Sequence, residues 1–255
     1  MTPQPANLAV VLAETRNPLN IGAVARAMSN FGFFDLRLVK PYDEAFREAV
    51  SAVGAVELLR KAQVFETLAE AVADCSLVAG ATGLSRRVPQ IPQHRLERAG
   101  RLLRRHLAEA RAAVVFGSEK SGLNNQHMSQ CHWLLNIPTR PEHESMNLAQ
   151  SVAVTLWELV RRPWEARRLP GGPPAASVED VERITVLLEE ALQECGHTDY
   201  ARETEATLKT HQLVRRLHLA ARDAPIWTGI LRQILWKIRS GAAGRNPSAA
   251  GGPGQ

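Results

Sequence analysis

Cysteine is scarce: the 255 residues contain three (Cys75, Cys131 and Cys195), widely spaced and without a CxxC pair. That pattern excludes a disulfide framework and a zinc ribbon, and it makes a reducing cytoplasm the natural compartment. Long apolar runs are also missing. None approaches the roughly 20 residues that a membrane span needs, so no membrane partner is expected. The N-terminal stretch MTPQPANLAVVLAE has neither the basic region nor the apolar core of a secretory signal. Lysine is rare too, with 5 against 26 arginines in a chain of net charge +5. Arginine presents a planar fork that matches phosphate, so the bias fits an anionic partner, although high-GC codon usage produces the same bias. At 45% hydrophobic and 22% charged, the composition excludes a wholly disordered or fibrous chain.

Several catalytic signatures are absent as well. There is no GxGxxG, no GxSxG and no HExxH. Gly117-Ser-Glu-Lys-Ser-Gly122 has Walker A spacing, but Leu123-Asn124 replaces the phosphate lysine and the magnesium hydroxyl. A Gly-rich loop after a strand still offers open backbone N–H groups. Cys131-His132, with His127 nearby, reads as a buried thiol and a surface imidazole rather than a metal site.

What is present is an alternation. Apolar runs at 8–13, 36–39, 76–82, 112–117 and 133–137 predict strands, and helical spacing fills 21–31, 44–61, 94–110 and 147–162. Thr67-x-x-Glu70 predicts a capping box. Strands alternating with helices indicate an α/β fold with a parallel sheet, covered on both faces and therefore apolar throughout its strands. The main domain spans 1–164. Residues 165–177 (EARRLPGGPPAAS) read as a linker, 178–239 as a small all-helical C-terminal domain, and 240–255 as a disordered tail. The first 164 residues carry 19 cations against 15 anions, and the densest stretch, Arg86 to Arg111, holds eight Arg and two Glu. Nucleic-acid contact and an ordinary solvated helix face both account for it. Lys209, Arg215, Arg216 and Arg222 form a second group.

Three segments sit at C-terminal ends of predicted strands, where open α/β sheets bind ligands. They are Asn17-Pro-Leu-Asn20-Ile-Gly22-Ala-Val-Ala-Arg26, then Gly117-Ser-Glu119-Lys-Ser-Gly122-Leu123, then Ile137-Pro138 followed by Ser145-Met-Asn147-Leu-Ala149. Singly, each has a plain explanation: Asn20 and Asn147 as helix caps, and Arg26 as a surface cation paired with Glu119. In order, N-x-G-x-x-x-R, G-x-E-x-x-G-L and I-P…S-x-N-L-A resemble the three motifs of the SPOUT-class RNA 2′-O-methyltransferases, in the TrmH-like branch. The resemblance covers residues 8–162, and the helical extension is similar to that of the bacterial tRNA ribose methyltransferases of that branch.

The resemblance implies a deep trefoil knot in the C-terminal part of the sheet domain, which periodicity cannot reveal. It implies S-adenosylmethionine as methyl donor without a metal, held by Ala81, Thr82, Gly83, Gly117, Ile137, Glu144, Ser145 and Met146. Glu144 stands where relatives commonly have a small residue. It implies Arg26 as the central catalytic residue, with Asn20, Glu119, Ser145 and Asn147 positioning it and the ribose. Free arginine is a poor base, so gripping a phosphate or stabilising the developing alkoxide suits Arg26 better. A homodimer with 20–31 and 147–162 at its contact is implied, with tRNA as substrate at the pyrimidine of anticodon-loop position 32. Arg86, Arg87, Arg101, Arg104, Arg105, Arg215 and Arg216 are the expected RNA contacts. An rRNA ribose and a non-catalytic RNA-binding role are the alternatives.

Overall fold

A computed structural model of the protein describes residues 5–42, 54–83, 91–140, 142–162, 173–197 and 203–243. Among the described residues, seven strands form one sheet: β1 (Leu8–Ala13), β2 (Asp35–Val39), β3 (Gln63–Phe65), β4 (Leu77–Thr82), β5 (Gln93–Arg95), β6 (Ala112–Phe116) and β7 (Trp133–Asn136). Their order is β3-β2-β1-β6-β4-β7-β5, and every pairing is parallel. Among the described residues, six α-helices lie between and after them: α1 (Pro18–Phe31), α2 (Val56–Arg60), α3 (Leu68–Ala71), α4 (Leu96–Leu107), α5 (Asn125–Ser129) and α6 (Leu148–Val160).

The strand period of two explains why the central runs are apolar throughout. Leu8, Val10 and Leu12 of β1 enter one core with Ala112, Val114 and Phe116 of β6, where α1, α4 and α6 pack. Ala9, Val11 and Ala13 face the opposite core with Ala113, Val115 and Val78. The expected strands are present within a residue or so. The three-residue edge strands β3 and β5 were not foreseen. Of the helix expected at 44–61, residues 43–53 lie outside the described residues. The Thr67–Glu70 capping box is formed, with Thr67 Oγ1 accepting from the Glu70 amide at 3.2 Å and the Glu70 carboxylate accepting from the Thr67 amide at 3.4 Å.

α1 begins three residues before the expected start. Asn17 is its cap, accepting from the Leu19 amide at 2.9 Å, and Pro18 takes the first helical position, where its missing N–H costs nothing. Asn20 is therefore not the cap, and its side chain is free for another task.

The extension comprises α7 (Val178–Glu194), α8 (Glu203–Arg216) and α9 (Ala224–Ala243), with a core of its own from Val181, Ile184, Val214 and Leu231. Only residues 173–177 of the expected linker are described, and α9 runs to residue 243, four residues into the expected tail, whose remainder lies outside the described residues. The extension joins the sheet domain by backbone, as the Val178 amide donates to Cys75 O at 2.7 Å and the Glu179 amide to Ala73 O at 3.0 Å. His132 lies at this junction, and the surface imidazole foreseen from the sequence is instead an interior one. Its Nδ1 accepts from the Val78 amide at 3.1 Å, and its ring stacks on His218 at 6.4 Å.

Burial, helped by Arg215 and His218, pushes the His132 pKa down to about 3. Burial also lowers the pKa values of His106 and His127. The unfolded chain takes up these protons near pH 6.5, whereas folded His132 refuses its proton until about 3. Unfolding therefore gains protons as pH falls through that window, and stability falls with it. Urea unfolding between pH 7 and pH 4 should show a decline of up to about 1.4 kcal/mol per pH unit for each such histidine, and His132→Asn should flatten the profile.

Gly100 of α4 lies against α6. A Cβ there would meet Glu158 Cγ at 2.6 Å and Arg104 Nη1 at 3.2 Å. Glu158 cannot swing away, because Arg104 and Arg161 both hold its carboxylate, at 3.3 Å and 3.0 Å. Alanine gains about 1 kcal/mol of helix propensity, but overpacking a fixed site costs about 1–3 kcal/mol. Gly100→Ala is expected to lower the urea midpoint, for a net loss of about 1 kcal/mol at unchanged m-value.

Candidate active site

β6 pairs with β1 on one side and β4 on the other, and β4 pairs with β7, so the loops that follow these four strands share one edge of the sheet. The loop after β6 doubles back at once. Ser118 and Gly122 form an antiparallel bridge, the Gly122 amide donates to Ser118 O at 2.8 Å, and Gly122 adopts a left-handed φ of +65°. A Cβ on Gly117 would fall 2.0 Å from the Gly122 carbonyl carbon and 2.2 Å from the Leu123 nitrogen. Both obstacles are backbone, so only glycine fits there. The loop after β7 is tied to itself by Thr139, whose hydroxyl donates to Glu144 O at 3.1 Å, and to β4 by Asn136, whose amide donates to Thr82 O at 3.3 Å.

These loops enclose a cavity of about 550 Å³. All eight residues expected to hold the cofactor line it: Ala81, Thr82, Gly83, Gly117, Ile137, Glu144, Ser145 and Met146. Leu123 and Leu148 add apolar wall, and Glu119 supplies a second carboxylate beside Glu144. The volume lies within the 300–1,000 Å³ typical of ligand pockets. Backbone from Gly83 and Gly117 can approach a ligand closely, the apolar side chains suit a flat base, and the two carboxylates complement a sulfonium cation. The cavity fits S-adenosylmethionine. Ser118, Lys120, Ser121, Thr139 and Ser151 also line it; their place beside the motifs was the available signal for them. Among the described residues, no cluster of three His, Cys, Asp or Glu is arranged to hold a metal.

Beside the cavity, one hydrogen-bonded chain joins the three motifs. The Glu119 carboxylate accepts from the Arg16 amide at 3.3 Å, the Asn17 amide at 3.4 Å and the Asn20 side chain at 2.9 Å. The Asn147 side chain donates to Asn20 Oδ1 at 3.1 Å, while Asn147 Oδ1 caps α6 by accepting from the Ala149 amide at 2.9 Å and the Gln150 amide at 3.3 Å. Glu119 is thus bound to Asn20 and to backbone rather than to Arg26. Arg26 stands exposed on α1 and, among the described residues, has no hydrogen-bond or ion-pair partner. Six residues at 100° each turn it about 120° away from Asn20. Ser145 reaches the cavity but not the hydrogen-bonded chain.

The arginines expected on RNA divide sharply. Arg101 and Arg105 are exposed on one face of α4, and Arg216 is exposed on α8. Arg104 is 1% exposed and paired with Glu158; Arg215 is 3% exposed beside Glu182 at 3.6 Å. Neither buried guanidinium is available to a phosphate, so those two expectations are corrected. Arg86 and Arg87 lie outside the described residues.

Residues 7–157 match the SpoU rRNA Methylase family. The chain belongs to that family. It is 36% identical over 246 residues to the tRNA (cytidine/uridine-2′-O-)-methyltransferase TrmJ of Salmonella typhimurium, covering 94% of this chain and 99% of that one. It is 34% identical to the TrmJ of Yersinia pestis, covering 89% and 91%. Among solved structures, TrmJ from Z. mobilis ZM4 superposes with a TM-score of 0.80 at 31% identity, over 90% of this chain and 99% of that one. A probable methylase family protein from Haemophilus influenzae gives a TM-score of 0.58 at 28% identity, over 93% and 100%.

Gly117→Ala tests the cavity directly. The added Cβ must displace the backbone of Gly122 and Leu123, so calorimetry should show S-adenosylmethionine binding weakened at least tenfold, with far-UV circular dichroism unchanged.

Proposed function

We propose that the protein transfers a methyl group from S-adenosylmethionine to a ribose 2′-OH of tRNA, at the cytidine or uridine of anticodon-loop position 32. The observation that carries this reading is the Glu119–Asn20–Asn147 chain, which joins all three motifs at the rim of a cavity lined by every expected cofactor residue. The two TrmJ relatives support tRNA over rRNA, since their likeness extends over the helical extension as well as the sheet domain.

When bound, the cofactor supplies an electrophilic methyl group, so the remaining task is alignment of the hydroxyl. Glu119 fixes the β1–α1 loop through two backbone amides and fixes Asn20 through its side chain. Asn20 and Asn147 then orient one another and face the incoming ribose, while Ser145 contributes a hydroxyl from the cavity wall. Arg26 holds the phosphate next to the target ribose and stabilises the alkoxide as the proton leaves. Its lack of a partner among the described residues leaves all its donors available. Residues 1–164 form the catalytic unit, and the helices from Val178 to Ala243 form the C-terminal domain. The knot implied by the motifs belongs to this reading. A cytoplasmic homodimer completes it, with α1 and α6 at the contact, where Leu19 and Trp157 are 54% and 51% exposed. Arg101, Arg105 and Arg216 are the exposed candidates for tRNA backbone contacts.

Nucleoside mass spectrometry of tRNA from a deletion strain should show loss of 2′-O-methylcytidine or 2′-O-methyluridine at one anticodon-loop position. Unchanged tRNA with a ribose methyl missing from rRNA would redirect the assignment. Arg26→Ala should reduce turnover at least a hundredfold while leaving the cofactor Kd within about twofold, roughly 0.4 kcal/mol. Near-normal turnover in that variant rules out the role given to Arg26.

A further inference from the structure

A second cavity, of about 230 Å³, opens beside the active site and is lined by Glu14, Arg16, Lys40, Pro41 and Tyr42. None of these residues belongs to the three motifs. It falls below the 300 Å³ at which small-molecule pockets begin, so it suits one unit of a longer chain better than a separate metabolite. Its position is tied to the reaction centre, because the Arg16 amide is itself a donor to Glu119.

The pocket is held in shape by unusual backbone. Glu14 and Lys40, at the ends of neighbouring strands β1 and β2, both adopt left-handed conformations, with φ of 55° and 43°. Non-glycine residues rarely do so, and such strain concentrates at working sites. Hydrogen bonds lock the two turns together: the Glu14 amide to Val39 O at 2.8 Å, the Lys40 amide to Phe65 O at 3.1 Å, and the Tyr42 amide to Thr15 O at 3.1 Å. The result presents three kinds of group to one space. Arg16 offers a guanidinium fork, Lys40 a point charge, and Tyr42 an aromatic face, 62% exposed, with the Arg16 guanidinium 6.0 Å from its ring centre. Glu14, the one carboxylate, is turned toward His127 Nε2 at 3.7 Å and leaves an acceptor for a sugar hydroxyl.

Cationic forks recognise phosphodiesters, and aromatic faces stack on unpaired bases with little regard to sequence. We infer that this pocket binds the nucleotide adjacent to the methylated one, with its phosphate on Arg16 and Lys40 and its base on Tyr42. The inference rests on the RNA methyltransferase reading above and adds to it a subsite that sets the reach of the RNA strand across Glu119. A free anion is a weaker match, because it leaves the Tyr42 face without a role.

Steady-state kinetics on a single-stranded RNA loop, with cofactor binding as the control for folding, test this. Tyr42→Ala should raise KM for RNA about tenfold with kcat at saturating RNA unchanged, and Tyr42→Phe should restore KM to within about twofold, since stacking needs the ring and not the hydroxyl. Arg16→Ala and Lys40→Ala should each reduce the slope of log KM against log salt by about 0.7, the loss of one single-strand phosphate contact. Lys40→Gly relieves the left-handed backbone, so it should keep or raise Tm while still raising KM, two effects that a purely structural role cannot combine. An active wild type whose KM and salt slope survive all these changes overturns the subsite alone. A wild type that binds cofactor yet methylates no RNA overturns the parent reading, and the subsite falls with it.

Discussion

The Glu119 carboxylate takes two backbone amides from the β1–α1 loop and the side chain of Asn20, and through Asn20 it reaches Asn147 at the start of α6. Segments about a hundred residues or more apart are held by these few bonds, and each depends on the sheet beneath. Glu119 reaches Asn20 because β6 lies beside β1; the cavity closes because β6 also lies beside β4, and β4 beside β7. The carboxylate can stand at the rim only because Gly117 lets the loop fold back on itself without a side chain in the way. A charge accepting several N–H groups is a strong and directional fixture, and the loops it joins have little regular structure of their own to hold them.

Arginine performs at least three separate tasks in this protein. Arg37 is buried and bridges Asp35 and Asp74, and Arg111 meets the same two carboxylates from the other side. Burial alone would pull the Arg37 pKa down, but the two carboxylates outweigh it and raise it. Arg104 and Arg161 share Glu158 of α6. These groups tie helices and strands together, where the unpaired loss of one member leaves a buried charge. A second set stands in solvent on α4 and α8, and Arg16 lies beside the site, its amide donating to Glu119. The net charge of +5 is therefore not a uniform coat.

The central strands were legible because burial on both faces leaves an unbroken apolar run, and the capping box because its two residues make a local, self-contained contact. The edge strands β3 and β5 were not, since Gln63-Val64-Phe65 and Gln93-His94-Arg95 pair on one side only and carry no pattern. Arg104 looked like part of a solvated face because its neighbours Arg101 and Arg105 are. The signal that it is not lay 54 residues away, in Glu158, the single charged residue of α6, which needs a cation. The shared cavity was legible through the motifs whose residues line it. The use of Asn20 was not: at the start of a helix an asparagine reads as a cap, and only the sheet brings Glu119 to it. His132 misled for a related reason, since the helices that cover it come from a distant part of the chain.

The strand order has a consequence for how the protein is made. Leu8 and Leu77 both pair with Ala112, so the two halves of the sheet share no ladder until β6 arrives between them. Pairings of such long sequence separation fold slowly, because closing the loop costs entropy before any contact repays it. On the ribosome, β1 and β4 emerge with apolar residues on both faces and without the strand that pairs with both of them. The nascent chain must stay soluble through that interval, and the reaction centre comes into being only after the sheet has been completed from the middle outward.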